Sequence, residues 1–270
     1  MIDSSLLIPL FALGLCTGFL AGLLGIGGGM LLVPFLTALF SQRGISPDLS
    51  VKMAIATSMA TIVLTSLSSV RAHHQRGAVR WDIVRHLAPG IVMGAAAASL
   101  GVFSVISGQW LALVFAAFVT FSGVQMLWGR KPTPSRTLPG PSGQLAAGGA
   151  IGFVSGLVGA GGGFISVPFM TWCNVAMHQA VATSAALGFP IELANAVGYM
   201  VSGASEPGLP SGAIGYVFVP ALAAVSVVSV LTAPLGVRAA HALPVAPLKR
   251  VFALVLFGLA GFMLYKGLTA

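Results

Sequence analysis

Charged residues are scarce in this sequence. Only 7% of its 270 residues are Asp, Glu, Lys or Arg, against about 25% in an ordinary soluble domain. Residues 4–42 and 137–191 contain none of the four. Because one spanning helix needs about 20 apolar residues, each of these runs has room for two or more membrane segments. The composition excludes a soluble globular protein and predicts an all-α integral membrane protein.

The residues that build enzyme and metal sites are equally scarce. The two cysteines, Cys16 and Cys173, stand in apolar segments without metal-ligand spacing, and we interpret them as small packing residues. His73, His74 and His86 belong to a basic loop, and there is no HExxH motif. No paired carboxylates and no nucleophile beside a base are visible at membrane depth. We therefore expect no catalytic residue, metal site or cofactor, and a membrane enzyme or assembly factor is the weaker alternative.

Positive charge is concentrated in three connecting segments. The net charge of +8 would suit a nucleic-acid partner, but basic residues between apolar segments follow the positive-inside rule, and we expect no nucleic acid. Ten of the thirteen basic residues stand there: Arg71, Arg76, Arg80, Arg85, Arg130, Lys131, Arg136, Arg238, Lys249 and Arg250. We expect the face that they share to be cytoplasmic. The exceptions, Arg43, Lys52 and Lys266, fall at membrane edges.

Ten apolar segments follow one another along the chain. They are Leu6–Gly22, Met30–Phe40, Ala54–Val70, Leu87–Ile106, Trp110–Trp128, Leu145–Leu157, Phe164–Trp172, Val181–Val201, Tyr216–Val237 and Val251–Tyr265. The second and the seventh are too short to cross a bilayer, because eleven helical residues cover about 16 Å. We expect these two to form re-entrant hairpins or broken helices near the membrane midplane, where irregular backbone survives only inside protein or beside water.

A polar, Pro-rich linker, residues 129–143, divides the chain into two repeats of five segments. Residues 1–128 form the first repeat and residues 144–270 the second, and together they make a single transporter domain. The odd number of segments inverts the second repeat relative to the first. With the linker cytoplasmic, both termini are predicted outside. Because the N-terminus lacks the basic region of a cleavable signal peptide, we expect it to remain as the first membrane segment.

A glycine-rich stretch occurs once in each repeat. Residues 22–37 read GLLGIGGGMLLVPFLT and residues 156–171 read GLVGAGGGFISVPFMT, with ten of sixteen positions identical. Each glycine costs a helix roughly 0.8–1 kcal/mol relative to alanine, so both stretches predict a helix break in apolar surroundings. Paired breaks at matching points of two repeats are the best sequence indication of a transporter's binding site.

We expect these breaks to aim backbone N–H groups and the positive ends of two helix dipoles at one anion-binding spot. The glycines concerned are Gly27, Gly28 and Gly29 in the first stretch and Gly161, Gly162 and Gly163 in the second. The alternative is that they only allow close helix packing in lipid. Their duplication favours the binding role.

Two Thr-Ser dipeptides also recur at matching points of the repeats. Thr57-Ser58 and Thr183-Ser184 each follow an alanine within an apolar segment. Their hydroxyls are predicted to line the same cavity and bind an oxyanion. Equally, Ser and Thr in membrane helices often bond to their own helix carbonyls, and that alternative stays open.

Glu192 and Asn195 stand three residues apart on one helical face. A carboxylate inside a membrane segment is costly, which makes it a functional candidate by default. We hypothesise that Glu192 carries a proton at neutral pH and couples proton movement to substrate movement, with Asn195 as a polar contact. The alternative is a neutral Glu192 hydrogen-bonded to Asn195 or to a carbonyl.

The paired glycine stretches resemble the signature of the sulfite exporter (TauE/SafE) family of membrane permeases. Residues 56–81 are similar to the family's first-half pattern, and residues 182–203, 209–226 and 233–256 to its second half. The resemblance covers nearly the whole chain. It implies a plasma-membrane permease for small anions, often sulfur-containing ones such as sulfite or organosulfonates, driven by an ion gradient rather than by ATP.

Residues and resemblance together favour a secondary transporter of a small oxyanion in the cell membrane, coupled to a proton or sodium gradient. An uncoupled anion channel and a permease for a small carboxylate are the alternatives. The expected partners are the small anionic substrate and the lipid bilayer, and a homo-oligomer stays open. The motifs fix neither the anion carried nor the direction of transport.

Overall fold

The computed structural model describes residues 4–24, 28–128, 136–242 and 245–269. These residues form ten α-helices, and every one of the ten predicted segments overlaps one of them. The helices are α1 Ser4–Leu24, α2 Gly29–Gln42, α3 Pro47–Gln75, α4 Trp81–Ala96, α5 Gly108–Trp128, α6 Pro141–Val158, α7 Gly163–Trp172, α8 Met177–Ser202, α9 Val219–Ala242 and α10 Val245–Thr269. A π-helical turn, Ala97–Val102, continues α4. Strands β1 Ala213–Ile214 and β2 Val217–Phe218 form a short antiparallel hairpin between α8 and α9.

Local sequence explains where the helices begin and end. Helix α3 starts with Ser46 as N-cap, whose side chain accepts from the Leu49 amide at 3.4 Å, followed by Pro47 and an acidic first turn. Helix α6 ends at Gly159, which adopts the left-handed conformation with φ of 70° that glycine enters at little cost. The glycine in the second repeat's motif therefore stops α6 four residues before α7 begins.

Six helices of the described chain are long and apolar enough to cross a membrane, which makes this a multi-pass membrane protein. Their spans are Pro47–Gln75, Trp81–Val102, Gly108–Leu127, Met177–Ser202, Val219–Gly236 and Arg250–Thr269. Helices α2 and α7 have only 14 and 10 residues, and at about 1.5 Å per residue neither covers a hydrocarbon core of about 30 Å. Large apolar side chains such as Ile8 and Val105 lie exposed on the outside, as expected for a surface in lipid.

The helices pack mainly in pairs that join the two halves of the chain. Helix α1 lies along α9, α4 along α6, α5 along α10, and α3 along α8. The short helices α2 and α7 pack on α3 and α8 respectively. Helices α3 and α8 thus form the centre of the molecule, and their Ala, Ile, Leu and Met side chains supply much of its buried core.

Small residues bring several of these pairs close together. A Cβ on Gly94 of α4 would lie 2.0 Å from the Gly149 carbonyl oxygen of α6, and one on Gly152 would lie 2.1 Å from the Ile91 carbonyl oxygen of α4. Helices in lipid associate through such close backbone approach, since lipid offers no hydrophobic driving force between them. Packing therefore accounts for glycines outside the two motifs.

Candidate functional site

Both glycine motifs place a glycine at the start of a short helix. Gly28 is the N-cap residue of α2 and Gly162 that of α7, with φ/ψ of −75°/0° and −59°/−3°, and neither helix start receives a side-chain cap. The carbonyl of Gly28 accepts from the amides three and four residues on, and so does that of Gly162. The first amides of α2 and α7 consequently have no partner within their own helices. Gly27, also predicted for the site, lies outside the described residues.

The two motifs are in direct contact. A Cβ on Gly29 would lie 2.7 Å from the Gly159 carbonyl oxygen and 3.3 Å from the Ala160 Cα. Gly159 also lies close to α3, because a Cβ on it would be 2.9 Å from the side chain of Ile55. The start of α2 and the turn between α6 and α7 therefore meet beside the central helices.

Glu192 of α8 lies against the second motif. Its Oε1 is 3.1 Å from the position of a Cβ on Gly161 and 3.2 Å from that of a Cβ on Gly188, one turn earlier on its own helix. The side chain is buried, and no described residue provides a hydrogen-bond partner for its Oε2. A buried ionisable group thus faces a glycine turn across an interface between helices.

Ser66 of α3 lies near the same carboxyl. Its hydroxyl donates to the Val63 carbonyl oxygen, on its own helix, at 2.9 Å. Ser66 follows Ser58 by eight residues, as Glu192 follows Ser184. Extending the Thr-Ser alignment by two helical turns would have found this pair.

Thr57 and Thr183 are fully buried, and both accept a backbone hydrogen bond from the other half of the chain. The Phe218 amide donates to Thr57 Oγ1 at 3.0 Å, and the Arg80 amide donates to Thr183 Oγ1 at 3.0 Å. Phe218 directly precedes α9, and Arg80 is the N-cap residue of α4. Each threonine therefore holds the start of a helix that follows the opposite central helix.

These two hydrogen bonds indicate the relative direction of α3 and α8. Thr57 lies in the first half of α3 and bonds to the connection after α8, while Thr183 lies in the first half of α8 and bonds to the connection after α3. The two central helices are therefore antiparallel. Ser66 and Glu192 each stand nine residues beyond their threonine, about 13–14 Å along the helix. The Ser66–Glu192 contact thus lies midway between the two threonine bonds.

The serines that follow the threonines differ from each other. Ser184 Oγ lies 2.7 Å from Ser166 Oγ of α7, and 3.4 Å from where a Cβ on Gly163 would be. Ser58 is fully buried, and no described residue bonds to its hydroxyl. Of the two predicted serines, the structure brings Ser184 to a glycine motif.

Asn195 faces α6 rather than Glu192. Its Nδ2 donates to the Ile191 carbonyl oxygen at 2.9 Å, and its Oδ1 lies 2.5 Å from the position of a Cβ on Gly156 without a described partner. One turn further, the Tyr199 hydroxyl donates to the Gly156 carbonyl oxygen. Asn195 and Tyr199 therefore fix this face of α8 against α6, just ahead of the second motif.

Ser155 was missed by the sequence analysis. It lies on α6 with 2% of its surface exposed, its Oγ is 3.6 Å from where a Cβ on Gly162 would be, and no described residue is its hydrogen-bond partner. Its counterpart in the first glycine stretch is Ala21. A search for polar residues shared by both repeats therefore passes over it.

A small cavity adjoins the first motif. Its lining includes Gly28, Thr17, Thr61, Thr65 and Ser229, and its volume is about 10 Å³, about the room that one water molecule needs. An oxyanion with three oxygens does not fit there. The structure is therefore closed around the first motif.

A family model and several relatives match most of the chain. The family model described as sulfite exporter TauE/SafE matches residues 10–263. A probable membrane transporter protein of Haemophilus influenzae is 35% identical over 94% of this chain and 96% of its own. Proteins with the same description are 25% identical in Methanocaldococcus jannaschii, over 86% of each chain, and 29% identical in Bacillus subtilis, over 72% of this chain and 78% of its own. No solved structure matches the chain.

Proposed function

The chain belongs to the sulfite exporter TauE/SafE family of membrane transporters, and we propose that it is a secondary transporter of a small oxyanion such as sulfite or an organosulfonate. One observation carries this proposal: two buried, uncapped helix starts, at Gly28 and Gly162, lie where the glycine motifs meet, and Glu192 lies beside them. Helix N-termini attract anions through free amides and the helix dipole.

The burial of Glu192 supports coupling to protons rather than to sodium. No described residue bonds to its Oε2, and no described Lys or Arg forms an ion pair with it. A buried carboxylate without a partner of opposite charge is costly, and binding a proton removes that cost. In our proposal Glu192 binds the transported proton, and the anion and the proton move together.

The threonine bonds supply two gates for alternating access. Thr57 closes one end of the central pair by holding the start of α9, and Thr183 closes the other end by holding the start of α4. We propose that one bond opens at a time and admits the anion to the centre. The threonine hydroxyls can contact substrate only after these bonds open. Ser58 can contact substrate only after the helices around its buried hydroxyl move apart.

The exchange of helix partners supports two inverted repeats. In the first repeat α1 packs on α9, and in the second its counterpart α6 packs on α4, the counterpart of α9. Helices α3 and α8, and α5 and α10, pair with their own counterparts. A two-fold axis through the α3–α8 contact would generate this pattern, with both glycine motifs near the membrane midplane.

We further propose a cell-membrane location with residues 129–143 in the cytoplasm and both termini outside. Impermeant maleimide labelling of intact cells checks this orientation, with single cysteines near Pro141 and at Ser205 in a variant that lacks Cys16 and Cys173. Ser205 is exposed between α8 and α9 and its cysteine variant is expected to be labelled from outside, while a cysteine near Pro141 is expected to react only after the cells are opened. The reverse result would reject the orientation.

Transport itself is tested in proteoliposomes. We expect uptake of labelled sulfite and of a small labelled sulfonate. Both anions should accumulate in the vesicle when the solution outside is more acidic than the solution inside. Uptake without any response to the gradient, at rates far above those of a carrier, would identify an uncoupled channel. Movement of neither anion, with labelled acetate and lactate carried instead, would identify a carboxylate permease.

A further inference from the structure

The two glycine motifs are not equivalent, and we infer that the oxyanion binds at the second one, the start of α7, with Ser155 as an additional ligand. This inference rests on the proposed function. The sequence treats the motifs as a matched pair, whereas the surroundings of their glycines differ in space and in available donors.

Space is the first difference. A Cβ on Gly28 would lie 2.9 Å from the Thr17 Cβ, and one on Gly29 would meet backbone and the Ile62 side chain within 3 Å. The second motif is just as closed at Gly162, where a Cβ would lie 2.3 Å from the Ile191 side chain. The two glycines beside it differ: the sole described neighbour within 4 Å of a Cβ position is Glu192 Oε1, at 3.1 Å from that of Gly161, or Ser184 Oγ, at 3.4 Å from that of Gly163. Polar oxygens therefore border the second motif at positions next to the helix start.

Hydrogen-bond donors are the second difference. Around the first motif the hydroxyls of Thr17, Thr61, Thr65 and Ser229 all donate to helix carbonyls, at 2.7 to 3.1 Å. Their protons are already used, and their remaining lone pairs would repel an anion. These side chains can stabilise a water molecule in the small cavity, but they are unsuited to an oxyanion.

The second motif has donors to spare. The Ser155 hydroxyl is buried beside Gly162 and has no partner among the described residues. Buried polar groups are normally hydrogen-bonded, so an unpartnered one beside a helix start points to a ligand. Two further polar groups border the same turn: the Ser184 hydroxyl, which is hydrogen-bonded to Ser166 Oγ, lies at Gly163, and the Glu192 carboxyl lies at Gly161. No described Lys or Arg forms an ion pair with Glu192, so a proton on Glu192 is what removes its repulsion of an anion.

The chemistry of this site selects its ligand. The uncapped amides at the start of α7 and the free Ser155 hydroxyl are separate donors beside one turn, which suits an anion with three oxygens around one central atom. Sulfite and the sulfonate group have that shape, whereas a carboxylate has two oxygens in one plane. Ser155 therefore contributes to discrimination between sulfur oxyanions and carboxylates.

The test compares Ser155→Ala with two controls in proteoliposomes. Thr65→Val removes a hydroxyl from the first motif's cavity at nearly equal volume, and Ser226→Ala removes another buried hydroxyl without a described partner, on α9. We expect Ser155→Ala to raise KM for sulfite and for the sulfonate about tenfold, the loss of one hydrogen bond to a charged group. Both controls should keep KM within twofold, and Ser155→Cys, a weaker donor of similar size, should fall between.

The outcomes of this test distinguish an error in the position of the anion site from an error in the proposed function. A normal KM in Ser155→Ala, or a KM raised equally by Thr65→Val, would reject the second motif as the site while leaving the transporter intact. Failure of the wild type to move either anion would reject the proposed function and the site with it. A change confined to the maximal rate in Ser155→Ala would assign the residue to helix packing and also reject the inference.

Discussion

Replacement of Glu192 by Gln separates coupling from binding. Gln has nearly the shape of a protonated Glu and, like it, carries both a hydrogen-bond donor and an acceptor. The substitution keeps the volume and polarity of this buried side chain, so the protein should fold. Gln cannot gain or lose a proton in the accessible pH range, so a transport cycle that depends on that proton loses its coupling.

The magnitude follows from one proton moving with one anion. A pH difference of one unit is worth about 1.36 kcal/mol, which is about tenfold in concentration. The wild type should therefore accumulate a sulfonate about tenfold for each pH unit across the vesicle membrane. Glu192→Gln should bring the inside and outside concentrations to about one to one, while exchange of labelled for unlabelled sulfonate stays within a few-fold of the wild type.

The assay uses a small sulfonate because this anion keeps its charge throughout the working pH range. A neutral acid form, which would leak through lipid and follow the gradient by itself, is thereby avoided. Ser226→Ala, at another buried side chain away from Glu192, is the control and should accumulate like the wild type. Tenfold accumulation by Glu192→Gln would refute the assignment of Glu192 as the coupling group, and loss of exchange together with accumulation would show that the variant no longer binds.

Three other predictions follow from particular contacts. Thr57→Val and Thr183→Val should shift the exposure of central cysteines to impermeant maleimide in opposite directions, each toward the membrane face on which its threonine bond lies. Thr→Ser at either position keeps the acceptor and should keep the wild-type labelling pattern. A shift in the same direction for both Val variants would contradict the two gates. Gly94→Ala, with its Cβ 2.0 Å from a carbonyl oxygen of α6, should cost about 1–3 kcal/mol, measured as a lower Tm in detergent, whereas Gly258→Ala, with open space around it, should not lower Tm. Burial, and then the hydrogen bond to a neighbouring carboxylate, raise the pKa of Tyr216 above its ordinary value near 10, so its contribution to stability is present below pH 10 and lost as the pH rises further. In Tyr216→Phe the fall of Tm above pH 10 should be smaller than in the wild type. An unchanged profile of Tm against pH would contradict this contribution of Tyr216 to stability.

Much of the frame could be predicted from composition and spacing. Long apolar runs located all ten helices, because a membrane helix must be apolar along its whole length. The lengths of α2 and α7 followed from polar residues or glycines at their ends, and Gly28 and Gly162 do begin these helices. Element boundaries are set by local chemistry, which a single sequence contains.

The partners of the polar groups could not be predicted in the same way. Thr57 and Thr183 stand in helices far along the chain from Phe218 and Arg80, and nothing local indicates which backbone amide each one meets. Sequence spacing put Asn195 on the same face as Glu192, but a helix face is wide enough for the two to contact different neighbours. Asn195 consequently meets α6, while Glu192 meets the second glycine motif and α3.

The duplication of the chain explains the arrangement of its helices better than it explains the polar groups of the candidate site. The matched features of the two halves, the glycine-led short helices and the threonine bonds, involve backbone groups at helix starts. The polar groups that distinguish the second motif have no polar equivalent or a weaker one in the first half: Ala21 stands for Ser155, and Ser66 for Glu192. Two identical motifs would offer the anion two equal sites and the proton two equal carriers, with no fixed stoichiometry. In our proposal, the carboxyl and the spare hydroxyl on one side give one anion and one proton a single shared site between the two gates.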